Sequence, residues 1–275
     1  MFFKKREKQI IHLYTICWNE EYMLPYFFKH YDKFVDKYVF FDDGSTDKTI
    51  ELLSSHPNVE IRTLPRLDND SYVLAAKEIH NNCWKESRGI ADWVIYTAVD
   101  EFLYVSNLKR YLRKCSKTGV TVIPALGYQM ISAVLPIGNS TLLNQVKTGC
   151  PWSDMNKLSI LNPNKISETG HAVGRHKSLP IGNVVYPKND ILLNLHYKYL
   201  NFETTFKRHA ALQEKLGVVD KENHWGTQYG WPLKKFKEDW DYFESRAVEN
   251  IFSIWYNPSE EHSKIIDRWW RQEVK

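Results

Sequence analysis

Three clusters of acidic and amide residues in the N-terminal half of the chain could do chemistry together. Each follows a predicted buried strand, and the clusters are Trp18, Asn19 and Glu20; Asp42 and Asp43; and Asp100 and Glu101. Ligands of open parallel sheets bind beyond the carboxyl ends of the strands. A carboxylate pair at such an end can hold a divalent cation, which in turn neutralises a diphosphate leaving group. Carboxylates brought together from separate strands also need a counter-charge of this kind.

Each cluster also has an ordinary structural interpretation. Residues 42–47 read Asp-Asp-Gly-Ser-Thr-Asp, which favours a capped turn, and Asp100 and Glu101 could be solvated acids at a strand end. A phosphatase nucleophile pattern, Asp-x-Asp-Gly-Thr, is excluded because Phe41 stands at its first position. An EF-hand loop is excluded because Gly and Glu do not occupy its sixth and twelfth positions. The functional alternative for Asp43 is a carboxylate that accepts hydrogen bonds from a base or a ribose.

Histidine supplies the remaining candidates for a metal site. The sequence contains ten histidines, and a lone histidine is more often structural than a ligand. His196 follows Leu195 at a predicted strand end, which makes it the better candidate for completing a metal site, with His176 as the alternative.

Short apolar runs alternate with helical patterns along the first half of the chain. The predicted strands cover residues 10–17, 38–41, 59–64, 93–97 and 120–125, with helices over about 23–34, 50–53 and 72–84. This order predicts a parallel α/β sheet. Residues 127–190 favour loops and short strands, followed by a strand over 190–199 and helices over 202–216 and 233–248. Because no linker is evident, the sequence predicts one continuous domain over residues 1–275.

Composition indicates an ordinary folded globular protein. The chain has 275 residues, of which 43% are hydrophobic and 25% charged, so general disorder is excluded. The net charge of +4 is too small to indicate a nucleic-acid-binding protein. The widely spaced cysteines predict reduced thiols and a cytoplasmic location. No apolar run approaches the ~20 residues of a membrane span, so any membrane contact would be peripheral.

A basic aromatic surface is a candidate for such a contact. Its members lie near the C-terminus and are Lys234, Lys235, Lys237, Arg268, Trp269, Trp270 and Arg271. A solvated helix face is the favoured interpretation, and contact with a membrane that carries a lipid-linked acceptor is the alternative.

Several segments taken in order resemble a known family. Residues 17–21 read Cys-Trp-Asn-Glu-Glu, residues 39–47 read Val-Phe-Phe-Asp-Asp-Gly-Ser-Thr-Asp, and Trp-Val-Ile at 93–95 leads to Asp-Glu-Phe-Leu at 100–103. This set resembles family 2-type glycosyltransferases of the GT-A fold, above all the bacterial branch whose metal motif reads Asp-x-Asp-Glu-Phe. Gly-Arg-His at 174–176 and Leu-His-Tyr-Lys at 195–198 are similar to that branch as well. The resemblance covers residues 8–105, and the remainder matches more loosely.

The resemblance implies a GT-A-like α/β domain with a mostly parallel central sheet flanked by helices. Residues 8–105 would bind the nucleotide sugar, 106–200 the acceptor, and 201–275 would form a helical C-terminal extension. The implied activity is metal-assisted, inverting transfer of the hexosyltransferase type, from a nucleotide-diphospho-sugar donor to a glycan or lipid-linked hydroxyl. Mn²⁺ or Mg²⁺ is the implied cofactor, polysaccharide biosynthesis the implied setting, and the inner face of a membrane a possible location.

The resemblance also implies roles for single residues. Those expected along the nucleotide sugar are Trp18, Asn19, Glu20, Asp43, His80, Asn81 and Glu101. Asp100 is the expected metal ligand, completed by His196 or alternatively His176. A carboxylate usually activates the attacking hydroxyl. Asp154, Glu168 and Asp190 are the candidates for this general base, and the sequence does not choose among them.

Two positions depart from the family pattern. Ala98 stands where the metal motif has its first Asp, so a cation would be bound through Asp100 and His196. His80 precedes Asn81 where a more basic residue is common, which predicts a weaker, pH-dependent contact with a diphosphate. Two alternatives stay open: a catalytically silent nucleotide-sugar or glycan-binding protein, and a nucleotidyltransferase. A Rossmann dehydrogenase is disfavoured because no G-x-G-x-x-G follows the first strand.

Overall fold

A mixed β-sheet lies at the centre of the computed structural model, which describes residues 8–66, 70–265 and 268–271. The strands are β1 (Ile11–Cys17), β2 (Lys37–Asp42), β3 (Val59–Thr63), β4 (Trp93–Tyr96), β5 (Glu101–Tyr104), β6 (Val122–Ser132), β7 (Gly149–Pro151), β8 (Lys157–Leu161), β9 (Ile166–Glu168), β10 (Ile181–Gly182) and β11 (Leu193–Leu200). The helices are α1 (Leu24–Tyr31), α2 (Thr49–Ser54), α3 (Tyr72–Asn82), α4 (Leu108–Lys117), α5 (Leu142–Gln145), α6 (Phe202–Lys215), α7 (Val218–Glu222), α8 (Leu233–Arg246) and α9 (Pro258–Ile265).

The strand order of the central sheet decides which loops meet. The order is β3-β2-β1-β4-β8-β6-β11-β5, and β7 pairs with β6. Strands β3, β2, β1 and β4 run parallel, as do β6 and β11, whereas β5 runs antiparallel to β11. Because β8 is antiparallel to both β4 and β6, the ends of β1, β2, β4 and β11 and the start of β5 share one edge. We call this edge the carboxyl edge.

The two faces of the sheet carry separate cores. Along β2, Tyr38 and Phe40 pack on the face that α1 covers with Phe27, while Val39 and Phe41 pack on the opposite face with Trp84. Side chains of a strand alternate between the faces, so a sheet covered on both sides requires nearly continuous apolar strands. This requirement explains the apolar runs from which the strands were predicted.

The predicted α/β class is confirmed, with helices flanking a central sheet. The structure differs from expectation at residues 126–132, where β6 continues to Ser132 instead of ending near residue 125, whereas β7 to β10 are short strands as expected. Gly127 had favoured a loop, and Pro124 is unusual within a strand, yet both residues have positional reasons. A register shift occurs at Pro124, and a Cβ at Gly127 would lie 2.4 Å from the Trp152 carbonyl oxygen. Such breakers are tolerated in strands at bulges and close backbone approaches.

The helices that follow β11 are attached through an aromatic cluster. Phe236, Trp240 and Phe243 of α8 pack against Tyr199 of β11 and Ile131 of β6. The four cysteines are free thiols. None of the helices formed by residues 8–66, 70–265 and 268–271 combines the length and apolar character that a bilayer crossing requires.

Candidate active site

Asn19 joins two loops at the carboxyl edge, and Asp42 fixes the turn of the second loop. Asn19 has a left-handed φ of 51°, a conformation that asparagine tolerates. Its Oδ1 accepts the Thr46 backbone N–H at 2.7 Å, and its own N–H donates to the Ser45 hydroxyl at 2.9 Å. Asp42 accepts the backbone N–H groups of Gly44 and Ser45 within its own turn. These side chains therefore fix the loops that carry the neighbouring Trp18, Glu20 and Asp43.

Asp43 lies in the wall of a cavity of about 650 Å³, which Gly44 and Leu216 also line. Arg66 donates from Nε to Asp43 Oδ1 at 2.8 Å and from Nη2 to Oδ2 at 2.6 Å. Lys215, at the end of α6, donates from Nζ to the Asp43 carbonyl oxygen at 2.8 Å. A paired Arg–carboxylate contact is rigid and strong. The cavity wall therefore has fixed acceptors and two cations.

Trp18 and Glu20 meet the other end of α6. The Arg208 guanidinium lies over the Trp18 ring at 4.9 Å and donates to the Trp18 carbonyl oxygen at 2.6 Å and Glu20 Oε1 at 2.8 Å. Burial raises the pKa of Glu20 to about 8; Arg208 opposes this rise and the nearby Asp100 adds to it. Glu20 is therefore largely protonated at neutral pH, so the local negative charge is concentrated on Asp100.

Asp100 faces His196 across the last part of the edge. Asp100 Oδ2 lies 3.4 Å from His196 Nε2. The buried Gln129 donates from Nε2 to the carbonyl oxygens of Met130 and His196, so its Oε1 must accept from His196 Nδ1, 2.7 Å away. His196 Nε2 is therefore the ring nitrogen that faces Asp100. Burial would raise the pKa of Asp100, but His196 and Lys198 hold it below its usual value.

Glu101 has a different set of partners from Asp100. Its buried carboxylate accepts from Lys157 Nζ of β8 at 2.7 Å and from Arg175 Nη2 at 2.9 Å. Burial alone would raise the pKa of Glu101, yet the two cations hold it far below its usual range. Glu101 is therefore an ionised link between β5, β8 and the turn at Arg175, and its oxygens are engaged within the protein.

Tyr72, at the start of α3, shows that the acidic clusters converge. Burial raises the pKa of its hydroxyl, and Tyr229 together with the carboxyl groups of Asp43, Glu20 and Asp100 adds to the rise. Arg66 lies over the Tyr72 ring at 5.7 Å. Carboxyl groups that follow β1, β2 and β4 therefore all influence one hydroxyl.

A sequence model of glycosyltransferase family 92 matches residues 15–260, which includes the candidate site. The chain belongs to glycosyltransferase family 92. No curated protein sequence matches it. The narrower resemblance to family 2, with its metal motif, stays a prediction.

Solved structures resemble this family 92 chain at low sequence identity. The chain covers less than two thirds of the length of each of the following three structures. S. aureus TarS is 12% identical, with a TM-score of 0.32 over 56% of this chain and 28% of that chain. The TarS fragment 1–349 is 12% identical, with a TM-score of 0.35 over 75% of this chain and 65% of the fragment. Glucosyl-3-phosphoglycerate synthase from Mycobacterium tuberculosis, with Mn²⁺, uridine diphosphate and phosphoglyceric acid, is 15% identical, with a TM-score of 0.29 over 43% of each chain.

The predicted pair His80 and Asn81 of the family 92 chain lies at the end of α3. Asn81 accepts the Thr169 hydroxyl and the His171 backbone N–H with Oδ1, so it anchors the loop that follows β9. Burial lowers the pKa of His80 well below its usual value, and Arg175 lowers it further. The His80 ring is therefore neutral at neutral pH and offers no positive charge to a diphosphate.

The three candidate bases have unequal surroundings. Glu168 is paired with Lys85 at 2.7 Å, and the buried Asp190 is paired with Arg268 and Arg271, each at 2.7 Å. Asp154 is exposed, and within the described residues its carboxylate has no basic partner.

Two neighbours connect Asp154 to the candidate site. The His176 ring contacts the Asp154 carbonyl oxygen through Nδ1. Trp152, two residues earlier, lies against His196 with 5.8 Å between ring centroids. Asp154 is therefore the candidate base whose segment contacts the Asp100–His196 pair.

Within the residues that the structure describes, no group of three or more His, Cys, Asp or Glu side chains could hold a metal ion. Asp100 Oδ2 and His196 Nε2 nevertheless face one another, and a carboxylate oxygen and an imidazole nitrogen are both suitable metal ligands. Mg²⁺ sites commonly use one or two protein carboxylates together with substrate phosphates. The residues present therefore fit a cation that shares its ligands with a bound diphosphate.

Sequence reasoning missed several side chains that complete the site. They are Arg66, Tyr72, Gln129, Lys198, Arg208 and Lys215. A signal existed for two of them, because Arg208 and Lys215 are seven residues apart on a predicted helix and therefore share one face. Gln129 had no signal, since its role depends on strand pairing with β11 across 67 residues.

Proposed function

We propose that this family 92 chain transfers a sugar from a nucleotide-diphospho-sugar donor to a hydroxyl of a glycan or lipid-linked acceptor. The observation that carries the proposal is the Asp100–His196 pair, which lies at the same carboxyl edge as a cavity with Arg66 and Lys215 in its wall. A diphosphate is the ligand that would use both features, because it needs cations and can share a divalent metal.

The donor would lie along the carboxyl edge. Asp43 has about four lone-pair directions, so two hydrogen bonds from Arg66 leave capacity for a base or ribose group. Arg208 and Lys215 lie over the Trp18 ring, at 4.9 and 5.3 Å, where they would attract the phosphates. Asn19, Asp42 and Asn81 would act by holding the loops in place.

Asp100 and His196 are our proposed cation ligands, with His176 as the alternative to His196. A divalent cation such as Mn²⁺ or Mg²⁺ would supply positive charge where the leaving diphosphate becomes negative. Gln129 fixes the orientation of the His196 ring, and the lowered pKa of Asp100 keeps its carboxylate ionised at neutral pH.

Asp154 is our proposed general base. It would accept the proton of the acceptor hydroxyl while the oxygen bonds to the anomeric carbon and the bond to the diphosphate breaks. Attack from the face opposite the leaving group inverts the anomeric centre. Glu168 and Asp190 are less suitable because Lys85 and two arginines already hold them.

Thermal shift and donor turnover together test the proposal. Nucleoside diphosphates with Mn²⁺ should raise Tm by about 5 °C or more at a hundredfold excess over Kd. Asp43→Ala should reduce this shift. Asp100→Asn should lower transfer or donor hydrolysis by about a hundredfold or more, because a charge-stabilising ligand is lost. Asp241→Asn, at an exposed ion pair with Lys237, is the matched control.

The outcomes separate the alternatives. A Tm shift without turnover in the native protein would support a silent binding protein, an alternative motivated by Ala98. Release of pyrophosphate from a nucleoside triphosphate would support a nucleotidyltransferase. Full activity of both the Asp43→Ala and Asp100→Asn variants would refute the site assignment.

A further inference from the structure

Two adjacent large apolar side chains protrude into solvent near the C-terminus. Ile254 is 89% exposed and Trp255 is 91% exposed, the two highest values among the exposed large hydrophobic residues of the described chain. Burying such side chains is favourable, so a pair held fully in water indicates a surface that is covered in another state.

This protrusion adjoins the edge of the sheet opposite the candidate site. Phe252 packs on Tyr104, the last residue of β5, with 4.8 Å between ring centroids. The Ile251 backbone N–H donates to the Lys147 carbonyl oxygen at 3.0 Å. Tyr104 also lines a cavity of about 260 Å³ that has Lys33 and Lys109 in its wall. The aromatic protrusion therefore lies beside basic residues.

Helix α4 supplies most of the positive charge of this region. Its basic residues are Lys109, Arg110, Arg113, Lys114 and Lys117, and residues 102–153 contain no Asp or Glu. Its apolar side, with Leu108, Tyr111 and Leu112, is buried against the core. The basic side chains therefore face outward without acidic neighbours on the same segment.

Three basic side chains nearer the C-terminus, Lys237, Arg268 and Arg271, differ in this respect. Lys237 pairs with Asp241 on α8, and both Arg268 and Arg271 pair with the buried Asp190. Their charge is thus compensated locally. The charge of α4 is not compensated in this way, since none of its basic side chains has an ion-pair partner among the described residues.

We propose that α4 and the Ile254–Trp255 protrusion together form a docking surface for a bilayer of anionic phospholipids. Basic side chains near such a surface are each attracted by its phosphates, and tryptophan favours the boundary between headgroups and acyl chains. A nucleic acid would use the charge of α4, but it would not require an exposed apolar pair. The combination of the two features favours the lipid surface.

Docking through this surface would fix the orientation of the protein on the bilayer. Because α4 follows the end of β5 that lies opposite the carboxyl edge, docking would turn the candidate site away from the bilayer. The strands rise ~3.3 Å per residue, so the site would stand a strand length above the lipid. Such an orientation suits an acceptor glycan that extends from the membrane.

Vesicle co-sedimentation tests the proposal without donor or acceptor, so the result is independent of the proposed transfer activity. The full chain is mixed with vesicles of phosphatidylcholine alone or with 30 mol% phosphatidylglycerol (roughly a physiological anionic fraction). We expect binding to the anionic vesicles only, with weaker binding as salt is raised. Lys109→Glu with Lys114→Glu should weaken binding at least about tenfold, and Ile254→Ser with Trp255→Ser should also weaken it.

The matched control is Lys234→Glu with Lys235→Glu, which makes the same charge change on exposed positions of α8. Binding of this control should equal that of the native chain. Equal loss in the control, equal binding to neutral vesicles, or no binding at all would overturn the proposal. A native dimer that the Trp255 variant converts to a monomer in sedimentation analysis would assign the surface to self-association instead.

Discussion

Asp100 and Glu101 are adjacent in the sequence and have separate roles in the structure. Asp100 faces His196 at 3.4 Å, whereas Glu101 lies between Lys157 and Arg175. Adjacent side chains at the start of a strand point in different directions, so a carboxylate pair in the sequence need not be a pair in space. At the scale of the residue, function is therefore assigned by partners that lie far away in the chain.

Gln129 gives a prediction at this scale. Gln129→Leu should lower the affinity of the protein for Mn²⁺ about 10- to 100-fold, because His196 loses the acceptor that fixes its tautomer. Electron paramagnetic resonance titration with Mn²⁺ and a nucleoside diphosphate measures this directly. Gln145→Leu, at an exposed amide of α5, serves as the control. Unchanged affinity in the Gln129 variant would contradict the proposed role of His196.

Separate elements of the fold are joined by the buried Glu101 network. Glu101 belongs to β5, Lys157 to β8 and Arg175 to a short turn at residues 173–175, and all three side chains are buried. A buried ion pair adds little net stability, because removing charges from water is costly. Removing one partner lowers the free energy of unfolding strongly, since it leaves an uncompensated charge in the interior.

Glu101→Gln should therefore lower the free energy of unfolding by about 3–5 kcal/mol, because two buried cations lose their carboxylate. Denaturant unfolding followed by circular dichroism measures the loss. The control is Glu60→Gln, since Glu60 pairs with Lys37 and Arg62 at the surface and should cost at most about 1 kcal/mol. If Glu101→Gln lowered the free energy of unfolding as little as Glu60→Gln does, the Glu101 network would not be important for stability.

The stability of the whole molecule should depend on the protonation of Glu20. Its pKa is about 8 in the folded state because of burial, and an exposed glutamic acid titrates near 4.5. The folded state therefore binds more protons than the unfolded state between these values, so this group makes stability fall as pH rises from about 5 to about 8. Asp100 and Glu101 have lowered pKa values, so their stabilising contributions are lost only under more acidic conditions.

Glu20→Gln should remove this pH dependence. The variant should melt at least about 2 °C above the native protein at pH 8.5, roughly the shift expected for a small gain in stability, and close to it at pH 5. Scanning calorimetry from pH 5 to 9 measures the difference. The exposed Glu244→Gln is the control. A native Tm that rises between pH 5 and 8 in step with the variant would contradict the assignment to Glu20.

The sequence by itself determined the α/β class, most strands and helices, and the edge at which Trp18, Asp43 and Asp100 meet. These features follow from the hydrophobic period, the turn residues and the alternation of strands with helices along the chain, which are all local properties of the sequence. Only the tertiary structure decided which side chains meet within the site. Asp43 meets Lys215 across 172 residues, and His196 meets Gln129 across 67, through pairings that local patterns do not encode. The fold was predictable because hydrophobic periodicity and turn residues recur along the chain. The chemistry of each carboxylate depends instead on the cations that the folded chain brings to it.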